Sequence, residues 1–234
     1  MTRKSVRPKC CAYCGATGKL TRDHIPPKCL FGKPLPPDVI TVPACHNCHA
    51  PLNCDDEYFK TVVSMRDDVR AHPVAQKILP SVFRAFTRPD KVRFTRDIFA
   101  VRKLREVVTP GGIYLGTQEA FRVNMRRAKA VTRRITSGLY FHETGRCLPR
   151  GCSVVSTGIA HPNRVLDDLL KQQPKIYLLL TSQPRKVIGD DVFSYRFFVV
   201  PTEPRSSIWE LTFYGSISFL TISSPIVKPV PNVT

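Results

Sequence analysis

The sequence predicts an α+β fold, and three observations predict it. Two Cys-x2-Cys pairs, Cys11/Cys14 and Cys45/Cys48, flank a 30-residue insert near the N-terminus. Apolar residues recur at spacings of three and four in segments between residues 55 and 141, as in helices packed on one face. Beyond Gly151, β-branched and aromatic residues dominate in runs that alternate, as antiparallel strands do. The implied organisation is a basic tail (1–9), a cysteine-stapled unit (10–60), a basic helical and strand region (61–150), an antiparallel β-rich region (151–222) and a second tail (223–234).

Each element follows from local chemistry. Gly15 and Gly18 supply turns before a strand near Lys19 to Asp23. The prolines of Ile25-Pro-Pro27 and Pro34-Leu-Pro-Pro37 then enforce an extended loop. Val39-Ile40-Thr41-Val42 reads as a second strand delivering the chain to Cys45. A helix of about 15 residues is expected from Asp55, with Tyr58, Val62, Met65 and Val69 as its stripe, ending near His72-Pro73. A second, interrupted by Pro80, covers Val74 to Phe86, and Val92 to Val108 reads as strand-rich before a Gly111-Gly112 turn. The helix from about Met125 to Phe141 places Ala128, Val131, Ile135 and Leu139 on one side and Arg126, Arg127, Lys129, Arg133 and Arg134 on the other. Further on come a short helix at Asn163 to Lys171 and strands over Val192 to Val200 and Ile208 to Ile222, with Trp209 read as core.

Composition narrows the function classes. The longest wholly apolar run, Ile176 to Leu180, is five residues, far below the roughly 20 needed to span a bilayer. The basic N-terminus has no apolar segment behind it, so no secretory signal is expected and a cytoplasmic, reducing location is. Nine cysteines in such a compartment argue for metal ligation over disulfides. Net charge is +18, and residues 61–150, with 19 basic and 7 acidic side chains, carry most of it. Nucleic acid is the partner such a surface fits, since cations neutralise phosphates and release counterions; a solubilising face is the alternative.

Two Cys-x2-Cys pairs supply four thiolates for one tetrahedral zinc, leaving no open position for catalysis. Cys10 could pair with Cys14 by a slip of one residue, but Cys11 has the better spacing. Asp23, His24, His49 and Asn53 are then left without a structural task. On a helix starting near His49, His49 and Asn53 share a face. Asp23 adds a hard oxygen, and His24, pointing the other way on the strand, can take a proton from water. One acid, one imidazole and one amide suit Mg2+ or another divalent transition ion.

These residues resemble the HNH endonuclease family, in the subset with a zinc knuckle. The matching stretches are Cys11 to Cys14, Thr21-Arg-Asp-His-Ile-Pro-Pro-Lys28 and Cys45-His-Asn-Cys-His49, within residues 10 to about 58. The resemblance implies a ββα-metal finger, His24 as general base, and Asp23, His49 and Asn53 as ligands of a catalytic divalent ion. It implies cleavage of DNA, with Arg22 or Lys28 clamping the phosphate. Many members carry an asparagine about five residues before the third cysteine; here Ile40 stands there. Competing expectations are a non-catalytic zinc-finger nucleic-acid binder or structural subunit, and a thiol redox switch. The C-terminal region is a candidate for a protein partner or homo-oligomer contact.

Overall fold

The computed structural model of the chain describes residues 10–50, 53–100, 102–109, 111–149 and 151–225. The expected tails, 1–9 and 226–234, lie outside the described residues, as does the side chain of Asn53.

Strand β1 (Leu20–Ile25) pairs antiparallel with β2 (Ile40–Cys45), setting Asp23 opposite Val42, His24 opposite Thr41 and Ile25 opposite Ile40. The proline-rich loop joins them through one 3-10 turn, Lys28–Leu30. Because side chains alternate along a strand, Asp23 and Ile25 point inward and are buried, while Arg22 and His24 share the other face. Ile40 is buried against the core and contributes no hydrogen-bonding group there.

Helix α1 (His46–His49) is a single turn, and α2 (Asn53–Ser64) is a separate helix. His49 therefore closes one helix and the Asn53 backbone opens the next. The expected 15-residue stripe is corrected too. Helix α2 stops at Ser64, a 3-10 turn follows at Asp67–Val69, and the fully buried pair is Phe59 and Val63, four residues apart, not Val62 and Met65. Helix α3 (Pro73–Phe86) continues through Pro80; His72 caps it by accepting the Val74 amide on Nδ1. His72 and His161, each followed by a proline that opens a helix, are both N-caps.

The segment expected as strand from Val92 begins as helix α4 (Val92–Phe99). Phe86 meets both Phe94 and Phe99, and Phe99 meets Phe121, so aromatic packing overrides β-branched propensity here. Strands β3 (Arg102–Val108) and β4 (Tyr114–Phe121) then form a hairpin around the glycine turn. Helix α5 (Met125–Thr144) is capped by the Asn124 side chain at one end and by Gly145 in left-handed backbone at the other.

The C-terminal half is a five-stranded antiparallel sheet in the order β5 (Cys152–Ser156), β9 (Ile217–Pro225), β8 (Ser207–Phe213), β7 (Phe193–Val199), β6 (Lys186–Ile188). Helix α6 (Pro162–Gln172) agrees with expectation; α7 (Pro174–Thr181) was not foreseen, because a five-residue apolar run fits a buried strand equally well. Strand β9 also continues to Pro225, into the segment expected as tail. Every residue of β8 is buried. Trp209, Leu211 and Phe213 join the main core, while Ile208 packs with Val165, Leu169, Leu180 and Leu220 in a second cluster that includes residues of α6 and α7. Trp209 is core, as expected.

The main core draws on the whole length of the chain, from Ala12 and Ile25 through Phe59 and Ile135 to Trp209 and Phe219. Phe59 of α2 lies 5.0 Å from Phe213 and 5.8 Å from Phe219, ring centre to ring centre. The N-terminal hairpin is thus backed by α5, and α2 by the sheet. Among the described residues no helix is long and apolar enough to cross a membrane.

Candidate metal centre

The turn at Cys11 to Gly15 and the end of β2 bring four thiols together. Gly15, in left-handed backbone, lets the chain fold back so that its amide donates to the Cys11 carbonyl at 2.9 Å. Cys45 ends β2 and Cys48 follows within α1. The sulfurs of Cys11, Cys14, Cys45 and Cys48 all lie within 4.8 Å of one another, and Cys14 and Cys45 are 3.7 Å apart. Four sulfurs around one ion at about 2.3 Å stand about 3.8 Å apart, so the cluster fits a tetrahedral metal. Burial works against a Cys11 thiolate, but backbone amides of Cys45, Tyr13 and Cys14 outweigh it and bring the thiol down to about 7. Cys10 is outside the cluster, which settles the pairing for Cys11 with Cys14. Cys147 donates to the Cys11 carbonyl, and burial pushes Cys29 up to about 12, so neither has the character of a ligand. We expect one equivalent of metal per purified chain by elemental analysis, and its loss in Cys48→Ser; a Cys48→Ser protein that retains the full equivalent would exclude the cluster as its holder.

A second constellation sits beside the first. Asp23 is 4 % exposed, yet its two oxygens face different surroundings. Oδ2 accepts from the Tyr13 hydroxyl at 2.6 Å and lies 3.8 Å from Arg134 Nε. Oδ1 lies 3.6 Å from His49 Nε2, too far for a hydrogen bond, while near enough for one ion to contact both. Thr21 Oγ1 donates to the Ala44 carbonyl at 3.1 Å, which leaves its lone pairs for His49 Nδ1–H, also at 3.1 Å. With Nδ1 engaged by Thr21, His49 turns Nε2 toward Asp23.

His24 stands on the outward face of β1, half-buried. Burial first, then the Lys28 ammonium, hold its imidazole below the ordinary value against the pull of Asp23. It is therefore neutral at neutral pH, with a lone pair available. Arg22 and Lys28 are exposed, Arg22 on the same face of β1 as His24. The structure thus gathers Asp23, His24 and His49, with two cations at hand, and places the Asn53 backbone at the start of α2.

The basic arc on α5 is corrected in two places. Arg134 is 7 % exposed and donates from Nη2 to Asp56 at 2.5 Å; Arg127 donates to Asp55 at 2.6 Å and lies over the Tyr58 ring. Both occupy the flank of α5 that α2 covers, and the acidic first turn of α2 meets them. Arg126 and Arg133 remain exposed and Lys129 partly so. Sequence reasoning missed Tyr13, Thr21, Asp56 and Arg134 as supports of the site. Only Tyr13 carried a signal, its position inside the first cysteine pair.

The chain matches no protein-family model, no curated protein and no solved structure.

Proposed function

We propose that this chain is a metal-dependent endonuclease of the HNH type that hydrolyses phosphodiester bonds in DNA. The observation that carries the proposal is the meeting of Asp23 Oδ1 with His49 Nε2 at 3.6 Å beside an outward-facing His24. Two antiparallel strands followed by α2 support the reading as a ββα-metal finger, in which the four-cysteine cluster would hold zinc.

In this reading Asp23, His49 and the Asn53 side chain would hold Mg2+ or a divalent transition ion, which when bound stabilises charge on the phosphate and the leaving oxygen. His24 removes a proton from the attacking water. Arg22 or Lys28 orients the phosphate, and Arg126, Lys129 and Arg133 add contacts to the nucleic-acid backbone. The four-cysteine zinc supports the fold and takes no part in the chemistry.

Supercoiled plasmid incubated with the purified chain and Mg2+, Mn2+ or Ni2+ tests this directly. Nicking with at least one ion is expected. Intact plasmid with every ion, and RNA also intact, would favour a non-catalytic nucleic-acid binder; cleavage of RNA alone would move the substrate from DNA to RNA.

A further inference from the structure

We infer that Tyr13 and Arg134 set the affinity of the Asp23–His49 site for its divalent ion, by pinning one oxygen of Asp23 so that the other faces His49. The inference rests on the functional reading above. Asp23 is buried, and a carboxylate in that position needs its charge and lone pairs satisfied. Oδ2 meets this need on the inner side, through the Tyr13 hydroxyl at 2.6 Å and the Arg134 guanidinium with Nε at 3.8 Å. Oδ1 is left facing His49 Nε2 at 3.6 Å. The carboxylate plane is thereby fixed by groups that do not compete for the outward oxygen.

Both supports come from outside the hairpin that carries Asp23. Tyr13 sits between Cys11 and Cys14, so the four-cysteine cluster that fixes this turn also fixes its phenol. Arg134 is delivered by α5, and Gly138, one turn further along, allows the approach. A Cβ at Gly138 would come within 2.7 Å of Ile25 Cδ1 and 3.4 Å of the Tyr13 hydroxyl. Arg134 is anchored at Nη2 by Asp56, while its buried Nε and Nη1 have no hydrogen-bond partner, so the guanidinium stays in place without closing onto Asp23. The structural metal site and the core helix thus converge on one carboxylate. Groups that orient a ligand in this way are typically worth about 10- to 100-fold in metal affinity.

The test is Mn2+ titration by calorimetry of the full-length protein with its cysteine-bound metal in place. The wild type should bind one Mn2+, and Asp23→Asn should abolish that binding. Tyr13→Phe should weaken it by about tenfold or more with the cysteine-bound metal retained, and cleavage by this variant should recover as Mn2+ is raised. Arg134→Lys, which keeps the charge and loses the planar fork, provides the second arm if Tyr13→Phe does not fold. Unchanged Mn2+ affinity in the folded variants would overturn the inference and leave the nuclease reading standing. A wild type that binds no Mn2+ beside its cysteine-bound metal would overturn both.

Discussion

His24→Ala is expected to slow metal-dependent cleavage by about 10²- to 10⁴-fold, the usual contribution of a positioned general base. The expectation follows from where β1 puts the side chain. Asp23 occupies the inward face, with Oδ2 held by Tyr13 and Oδ1 turned toward His49, so in this reading it serves as a metal ligand and not as the base. His24, one residue on, faces outward, and burial together with Lys28 keeps it neutral. An imidazole already protonated could not serve, and one buried completely could not reach a substrate. The variant should keep its cysteine-bound metal and its Mn2+ affinity, because His24 touches neither set of ligands in this reading. Plasmid nicking measured at saturating Mn2+, with elemental analysis on the same sample, checks both halves. Undiminished nicking by the purified variant would remove His24 from the role.

Arg134→Met is expected to destabilise the fold by about 3–5 kcal/mol, the cost of leaving buried charge without its partner. Arg134 faces Asp56 at 2.5 Å and Asp23 at 3.8 Å, with all three side chains largely out of water. Burial pushes the Asp56 carboxyl above its ordinary value even with Arg134 alongside, so the pair already works against desolvation. Removing the cation leaves two carboxylates to protonate or to draw in water. Against a typical domain stability of about 5–15 kcal/mol, the loss is a large fraction of the total. A urea titration reads it as a lower midpoint with unchanged slope. Adding Asp56→Asn to Arg134→Met should restore part of the loss, since it removes one stranded charge. A change below about 1 kcal/mol in the single variant would show that the guanidinium is not needed to balance the carboxylates.

What was legible in the sequence was local. The two cysteine pairs, the strands that present them, the inward Asp23 and outward His24 all follow from spacing and a period of two. The helical projection of α5 correctly found Ala128, Val131, Ile135 and Leu139 on the packing side. It misplaced Arg127 and Arg134 because their acidic partners on α2 lie more than 70 residues earlier, and no periodicity reports on them. Helices α4 and α7 were hidden for a related reason. Their apolar residues fit either period, and only the aromatic cluster around Phe86 or the sheet beneath α7 decides between them. That His49 ends α1 while Asn53 begins α2 was likewise not announced by residue spacing.

The Tyr214 hydroxyl, at the turn between the last two strands, donates to the Leu30 carbonyl in the proline-rich loop at 2.8 Å, across 184 residues of chain. This has a consequence for timing. The ribosome makes Asp23, His24 and His49 before the α5 guanidinium that faces Asp23, and before the phenol that ties down the loop following β1. A nascent chain can gather its four thiols long before it can assemble the carboxylate and imidazoles beside them. In the functional reading proposed above, the site is therefore complete only once both α5 and Tyr214 have been made.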